Sequence, residues 1–279
     1  MSGQPRVAVV GHVEWVDFAV VDRLPAPGEI LEVSEHFSEA AGGGAVAAVQ
    51  LSRLAGEARF FTSLGTGPGG AHCAERLAEV HGLVVHAAAA AAPQRRALTH
   101  LTADHERTIT VLGERHVPRR KDPLPWEGLA EMDAVYFTGG DAAALRAARA
   151  ARVLVATPRA RAAIAEAQVE LDVLVASAQD EGERFAVEAL EPGPLHVVLT
   201  AGGEGGTWSG PDDTTGRWAA APPPGPEVDA YGCGDSFAAG LTYGLGSGLP
   251  IGEALALAAR CGAQCLTGRG PYGAPLTLP

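Results

Sequence analysis

Residues 229–237 read D-A-Y-G-C-G-D-S-F. Gly232 and Gly234 flank Cys233, a single carboxylate, Asp235, follows, and the apolar run F-A-A-G-L-T-Y-G begins almost at once. The pattern predicts a helix that emerges from a loop nearly without side chains. Free amides at a helix N-terminus attract anions, and the partial positive charge there also stabilises a carboxylate. One reading of Asp235 is an N-cap. A cap does not call for glycine at both 232 and 234, whereas a loop opened to a phosphate does. A different reading takes G-D-S as the nucleophile block of one esterase superfamily, with Ser236 attacking. No histidine follows His196, so that serine has no downstream base to activate it.

Outward from this block the chain alternates. Strands are predicted at 134–137, 152–156, 173–176 and 197–199, with helices at 141–151, 160–167 and 181–190 between them. Such alternation argues a parallel sheet with helices on both faces. Upstream, β-rich runs at 6–10 and 59–64 suit the same sheet, and a helix leaves the glycine loop A-A-G-G-G at 40–44. A further helix is predicted over 71–81. The extended runs at 13–21 and 31–37, and a hairpin over 97–112 with the polar tip D-H-E-R, do not fit this rhythm. They predict a small separate sheet.

Two other glycine loops need weighing. Residues 65–70, G-T-G-P-G-G, have the spacing of a dinucleotide loop. The acid expected about 20 residues on is missing, because 85–92 read V-H-A-A-A-A-A-A. The stretch is therefore read as a tight strand–helix turn. Residues 197–208, V-V-L-T-A-G-G-E-G-G-T-W, carry a second loop, which suits a ligand-binding turn or a simple hairpin equally.

Composition narrows the chemistry. The chain has 279 residues, 47% of them hydrophobic, enough for one large core. Its 33 acids against 21 bases give a charge of −12, which disfavours nucleic acid as a partner. No apolar run reaches the ~18 residues of a membrane span, and the N-terminus lacks a signal-peptide pattern. A cytoplasmic protein with no membrane partner is expected. The four cysteines form no C-x-x-C pair and are expected to be reduced. The only lysine, Lys121, sits in R-R-K-D, which suits neither a P-loop nor a protein-kinase strand. Phosphates would have to be handled by backbone amides, arginine and metal.

Taken together in this order, the motifs resemble the ribokinase-like (PfkB) carbohydrate kinases over essentially the whole chain. D-A-Y-G-C-G-D-S-F resembles the family's C-terminal signature and A-G-G-G-A-V-A-A its N-terminal one. L-P-A-P-G-E-I and D-H-E-R-T-I resemble the family's lid segments, and V-L-T-A-G-G-E-G-G its nucleotide turn. The resemblance implies a three-layer αβα sandwich with a mostly parallel central sheet, forming one domain over 1–279. It places a small β-sheet lid at about 12–39 and 94–117. It implies transfer of the ATP γ-phosphoryl group to a hydroxyl of a small sugar or nucleoside, with Mg²⁺ and a monovalent cation as a candidate activator. Asp235 would be the general base, with Gly232, Cys233 and Gly234 supplying amides to the phosphoryl oxygens. Asp17, Gly42, Gly43 and Val46 fall at substrate-side positions. Thr200, Gly202 and Gly205 fall at the nucleotide turn, and Asp180 at the metal position. Arg107 lies in the lid, as a substrate contact or a solvated charge, and Trp15 faces a substrate ring or the lid core. The lid's edges imply a homodimer through that sheet.

The chain departs from the family pattern at three places. Val46 stands where the signature has asparagine, Ser177-Ala178-Gln179-Asp180 stands for N-x-x-E, and Ala230 for a threonine. The spacing from Gly11 to Asp17 is one residue longer than the family's usual pattern. A non-catalytic ligand-binding protein on the same fold, or a kinase of a heterocyclic hydroxymethyl compound, are the alternatives.

Overall fold

The computed structural model describes residues 3–102, 107–184, 186–187 and 190–278. The tip residues Asp104, His105 and Glu106 lie outside them. Every other side chain of β1 (Val7–Val10) goes to an opposite apolar layer. Val7 and Val9 join one cluster, and Ala8 and Val10 the other. A strand buried on both faces sits in the middle of a sheet covered by helices. β1 pairs in parallel with β4 (Arg59–Thr66) and with β8 (Ala134–Phe137). Parallel pairing continues through β9 (Val153–Ala156), β10 (Val173–Ser177) and β11 (His196–Thr200), and on the other side to β5 (Val84–Pro93). β12 (Gly206–Ser209) and β13 (Thr215–Trp218) extend the sheet antiparallel, for nine strands in the order 13-12-11-10-9-8-1-4-5.

Three long helices cover one face: α1 (Gly43–Ala55), α5 (Cys233–Gly246) and α6 (Ile251–Cys265). Between α1 and α5 in the chain come α2 (Pro68–Glu75), α3 (Ala142–Ala148) and α4 (Arg161–Ala167). α3 and α4 cover the other face with Phe61, Phe137, Leu154 and Leu174 beneath them. Truncating a fully buried side chain such as Phe137 to alanine costs about 3–5 kcal/mol, since it fills space between sheet and helix.

A second sheet has the order β3 (Glu35–Ala41), β2 (Glu14–Val20), β6 (Arg96–Leu101), β7 (Arg107–Leu112). β2 and β6 are parallel, and the other pairs antiparallel. Val16 and Phe18 point from it into a cluster with Ala41, Val46, Ala97, Leu101 and Tyr231, which joins the sheet to the α/β body.

Four local expectations are corrected. β5 contains the alanine run and was not anticipated, because alanine favours helix. Here, at the edge of the sheet, register with β4 decides. β12 forms with β11 the hairpin that residues 197–208 allowed, whereas β13 was not anticipated. Of the helix expected over 181–190, residues 181–183 instead form a short 3₁₀ turn, Glu181–Glu183, and residues 185, 188 and 189 lie outside the described residues. The exposed strand expected over 31–37 runs instead over Glu35–Ala41. The loop at 65–70 is the tight turn expected. A Cβ on Gly70 would lie 2.0 Å from the Gly65 carbonyl oxygen, and Gly67, with φ +83°, caps α2.

Candidate active site

The carboxyl ends of β1, β8, β9, β10 and β11 open on one side of the large sheet, where ligands bind in open α/β sheets. The N-termini of α1 and α5 meet there. Gly42 caps α1 with φ +90°, a conformation that favours glycine. A Cβ on Gly44 would lie 2.6 Å from the His12 carbonyl oxygen, so α1 starts pressed against the end of β1. A Cβ on Gly43 would lie 2.8 Å from Asp235 Oδ1 and 3.4 Å from Thr138 Oγ1. The glycine loop at 42–44 thus leaves the space that the Asp235 carboxylate and its surroundings occupy.

α5 is capped by Gly232, with φ +85°, and no side chain caps it. Asp235 is the third residue of the helix, so its carboxylate is not the cap. The first amides of a helix lack intrahelical partners. Nothing lies within 4 Å of a Cβ built on Gly234, so that stretch of backbone faces open space. Cys233 N–H reaches the Ala230 carbonyl at 3.4 Å. Asp229, 2% exposed, accepts from Tyr231 N–H at 2.8 Å and Gly270 N–H at 2.9 Å, which fixes the loop ahead of the helix. Ser236 is also 2% exposed, which leaves no accessible serine for the esterase reading.

Burial raises the pKa of Asp235 to about 6, and the negative Glu183 adds to the rise. Arg107, Arg159 and Arg115 pull it back down. These groups come from distant segments. Arg115 Nη2 donates to the Thr138 carbonyl at 2.8 Å and meets His12 Nδ1 at 2.8 Å. Its Nη1 donates to the Arg159 carbonyl at 3.2 Å, and its buried Nε has no partner among the described residues. No carboxylate pairs with Arg115 among the described residues. Arg107 donates from β7 to the Ala230 carbonyl at 3.2 Å, which ties the small sheet to the loop before α5.

Asp180 and Glu183 share one guanidinium. Arg159 donates to Asp180 Oδ2, and to Glu183 Oε1 at 2.9 Å. Asp180 Oδ1 accepts from Gly182 N–H at 2.7 Å, and Glu183 Oε2 from Ser177 N–H at 2.8 Å. Among the described residues no cluster of three or more histidines, cysteines, aspartates or glutamates forms a ready metal cage. Thr200 ends β11, and Gly202 and Gly205 turn the chain into β12 with φ +57° and +84°. A Cβ on Gly205 would lie 2.1 Å from the Trp218 carbonyl oxygen, so close packing of β13 also requires this glycine.

One expected substrate-side residue, Asp17, faces away from the loop ahead of α5. Asp17 shares the β2 face of Trp15, opposite to Val16 and Phe18. Both its oxygens are occupied, by Ser38 Oγ at 2.6 Å and Arg96 Nη2 at 2.6 Å. Trp15 packs on His72 of α2 at 5.0 Å and lies, partly buried, against the core of the α/β body. Val46 is 1% exposed and lies against Gly232, so it shapes the loop and presents no polar group. The carboxylate beside Gly42 is Glu14. Its Cγ would be 3.0 Å from a Cβ there, its Oε2 accepts from Arg95 at 2.8 Å, and its Oε1 is 3.5 Å from His12 Nε2. Burial and the nearby Arg115 hold His12 neutral, with a pKa of about 4. Glu14, Arg115 and Glu183 were not anticipated. Only the glycines of F-T-G-G-D, after β8, marked this side of the cleft in the sequence.

The chain belongs to the pfkB family of carbohydrate kinases, whose family model matches residues 4–277. Fructoselysine 6-kinase of Shigella flexneri is 32% identical over 106 residues, 37% of this chain and 39% of that protein. The curated relatives that it matches are thus spanned over 39% or less of their own length. A microbiome-derived acarbose kinase shares the fold with a TM-score of 0.80 at 24% identity, over 98% of this chain and 96% of that one. Arabidopsis thaliana ribokinase, solved with ribose and ATP, superposes with a TM-score of 0.75 at 19% identity, over 97% and 96%.

Proposed function

We propose that this protein transfers the γ-phosphoryl group of ATP to a hydroxyl of a small sugar, sugar derivative or nucleoside. One observation carries the reading. Asp235 stands where the N-termini of α1 and α5 meet, against Gly43, with its pKa raised to about 6. A carboxylate there accepts the proton of the attacking hydroxyl, and a raised pKa strengthens it as a base while leaving it ionised at neutral pH. The first amides of α5, at Cys233 and Gly234 behind Gly232, stabilise the phosphoryl oxygens. Arg115, with no carboxylate paired to it among the described residues, adds positive charge on the same side.

Gly42 and Gly43 let the start of α1 lie close against Glu14 and Asp235 on the acceptor side, and Glu14 rather than Asp17 is placed to orient the acceptor's hydroxyls. Thr200 and the turn at Gly202 and Gly205 take the nucleotide. Magnesium is usually held by one or two carboxylates together with substrate phosphates. Asp180, with its side chain 39% exposed, and Glu183 fit that role. Mg²⁺ bound with ATP would neutralise the charge of its phosphates.

The test is ADP release with Mg·ATP across a panel of sugars, sugar phosphates, nucleosides and heterocyclic hydroxymethyl compounds, run beside Asp235→Asn. The reading expects one acceptor class to stimulate release in the wild type only. The second reading, a ligand-binding protein without turnover, draws on the apolar Val46. It gains if ATP raises Tm while no acceptor releases ADP.

A homodimer through the small sheet is part of the same reading. β7 is an edge strand exposed along its whole length, with Ile109 at 43%, Val111 at 43% and Leu112 at 52%. Sedimentation of wild type and Val111→Lys is expected to show a dimer that the variant weakens.

A further inference from the structure

A cavity of about 420 Å³ lies at the seam between the small sheet and the α/β body. β3 contributes Phe37 and Glu39 to it, the last turn of α1 Arg53, and the segment after α2 Arg76 and His81. Residues Arg269 and Pro271 close it. Three guanidinium groups thus meet one lining carboxylate.

The donors and acceptors do not balance. Arg76 grips both oxygens of Glu39, and Ala40 N–H adds a bond at 3.0 Å. That pair is complete. Arg269 Nη1 meets Glu35 at 2.8 Å while its guanidinium lies over Phe37 at 4.0 Å. Arg53 has no carboxylate partner among the described residues. His81 is 6% exposed, and its Nε2 has no hydrogen-bond partner among them. The nearest acid, Glu39 Oε1, is 3.6 Å away. A buried polar nitrogen without a partner is costly, and here it sits beside two cations with donors to spare.

We infer that this seam binds a phosphoryl anion, either inorganic phosphate or the phosphate ester of a small metabolite. Planar guanidinium forks match phosphate oxygens, and the volume lies in the range of small-ligand sites. Arg53, Arg269 and His81 Nε2 would hold the anion. Pro271 forms part of the wall, and its Cβ is 3.3 Å from where a Cβ of Gly232 would sit. Occupancy of the seam therefore bears on the loop ahead of Asp235. The binding does not depend on the kinase reading, but its effect on turnover does.

Calorimetry with inorganic phosphate and with a hexose monophosphate tests it, in the presence of a saturating non-hydrolysable ATP analogue. The wild type is expected to bind at one site. Arg53→Gln and Arg269→Met are each expected to weaken binding about tenfold or more while the analogue binds as before. Tighter binding of the ester assigns the site to a metabolite, and equal affinity assigns it to phosphate. No binding to the wild type, or unchanged affinity in either variant, overturns the inference. Phosphate binding that persists without catalytic turnover would leave the inference standing and overturn only the kinase reading.

Discussion

Gly43 and Asp235, 192 positions apart, are in such close contact that a methyl group on the first would lie 2.8 Å from Oδ1 of the second. The contact joins the two glycine-led helix starts into one cleft.

Gly43→Ala separates activity from stability. Gly43 opens α1 with a backbone conformation that alanine adopts, so the variant should fold with Tm unchanged or slightly lowered. The new methyl displaces the carboxylate, and misplacement of about 1 Å can cost 10²-fold. The kcat/KM for the acceptor found in the panel is expected to fall by about that factor, with circular dichroism unchanged.

Asp235 should set the acid limb of the pH profile. In the wild type, kcat/KM is expected to rise with pH and level off above about 6, where the carboxylate is ionised. In Asp235→Asn the limb should vanish, with a loss of roughly 10²–10⁴-fold. A limb that survives in the variant would assign the titration to another group.

The same carboxylate should weaken the fold. Its pKa is higher folded, about 6, than its ordinary value of 3.8, so the native state binds the proton more tightly. Its ionisation therefore costs stability as pH rises from about 4 to 6, and that cost persists above 6. Asp235→Asn is expected to be more stable than wild type in urea at pH 7. The gap should close below about pH 4.

Glu39 should behave in the opposite way. Burial acts to raise its pKa, but the bonds from Arg76 and Ala40 N–H outweigh it and hold it at about 2. The folded value lies below the ordinary 4.5, so this pair stabilises the fold above about pH 4.5, and the contribution is lost as pH falls toward 2. Glu39→Gln should cost about 2 kcal/mol at pH 7, and wild type and variant should converge in acid. Urea denaturation at both pH values measures this.

The large-sheet rhythm was legible because its strands are buried on both faces and read as apolar runs between helices. The G-C-G-D block was legible because an exposed glycine pair before a helix has few structural uses. Asp17 lies on the face away from Tyr231 for a geometric reason. A strand alternates faces, so one extra residue after Gly11 moves a side chain to the other side. That slip puts Val16 toward Tyr231 and leaves Glu14 beside Gly42. Arg115 and Glu183 carried no local signal, since only tertiary folding brings them to Asp235. The alanines of β5 contradicted their own propensity.

The segment after α6 ties together three separate parts of the cleft. Gly270 N–H holds Asp229, Tyr272 Oη donates to the Ala40 carbonyl at 2.6 Å, and Leu276 exchanges two bonds with Gln50 of α1. Proteins are made from the N-terminus. On the ribosome, Asp235 and both glycine loops therefore emerge before the residues that brace them. A nascent chain released short of position 270 would hold every proposed catalytic residue and still lack the clamp that sets their spacing.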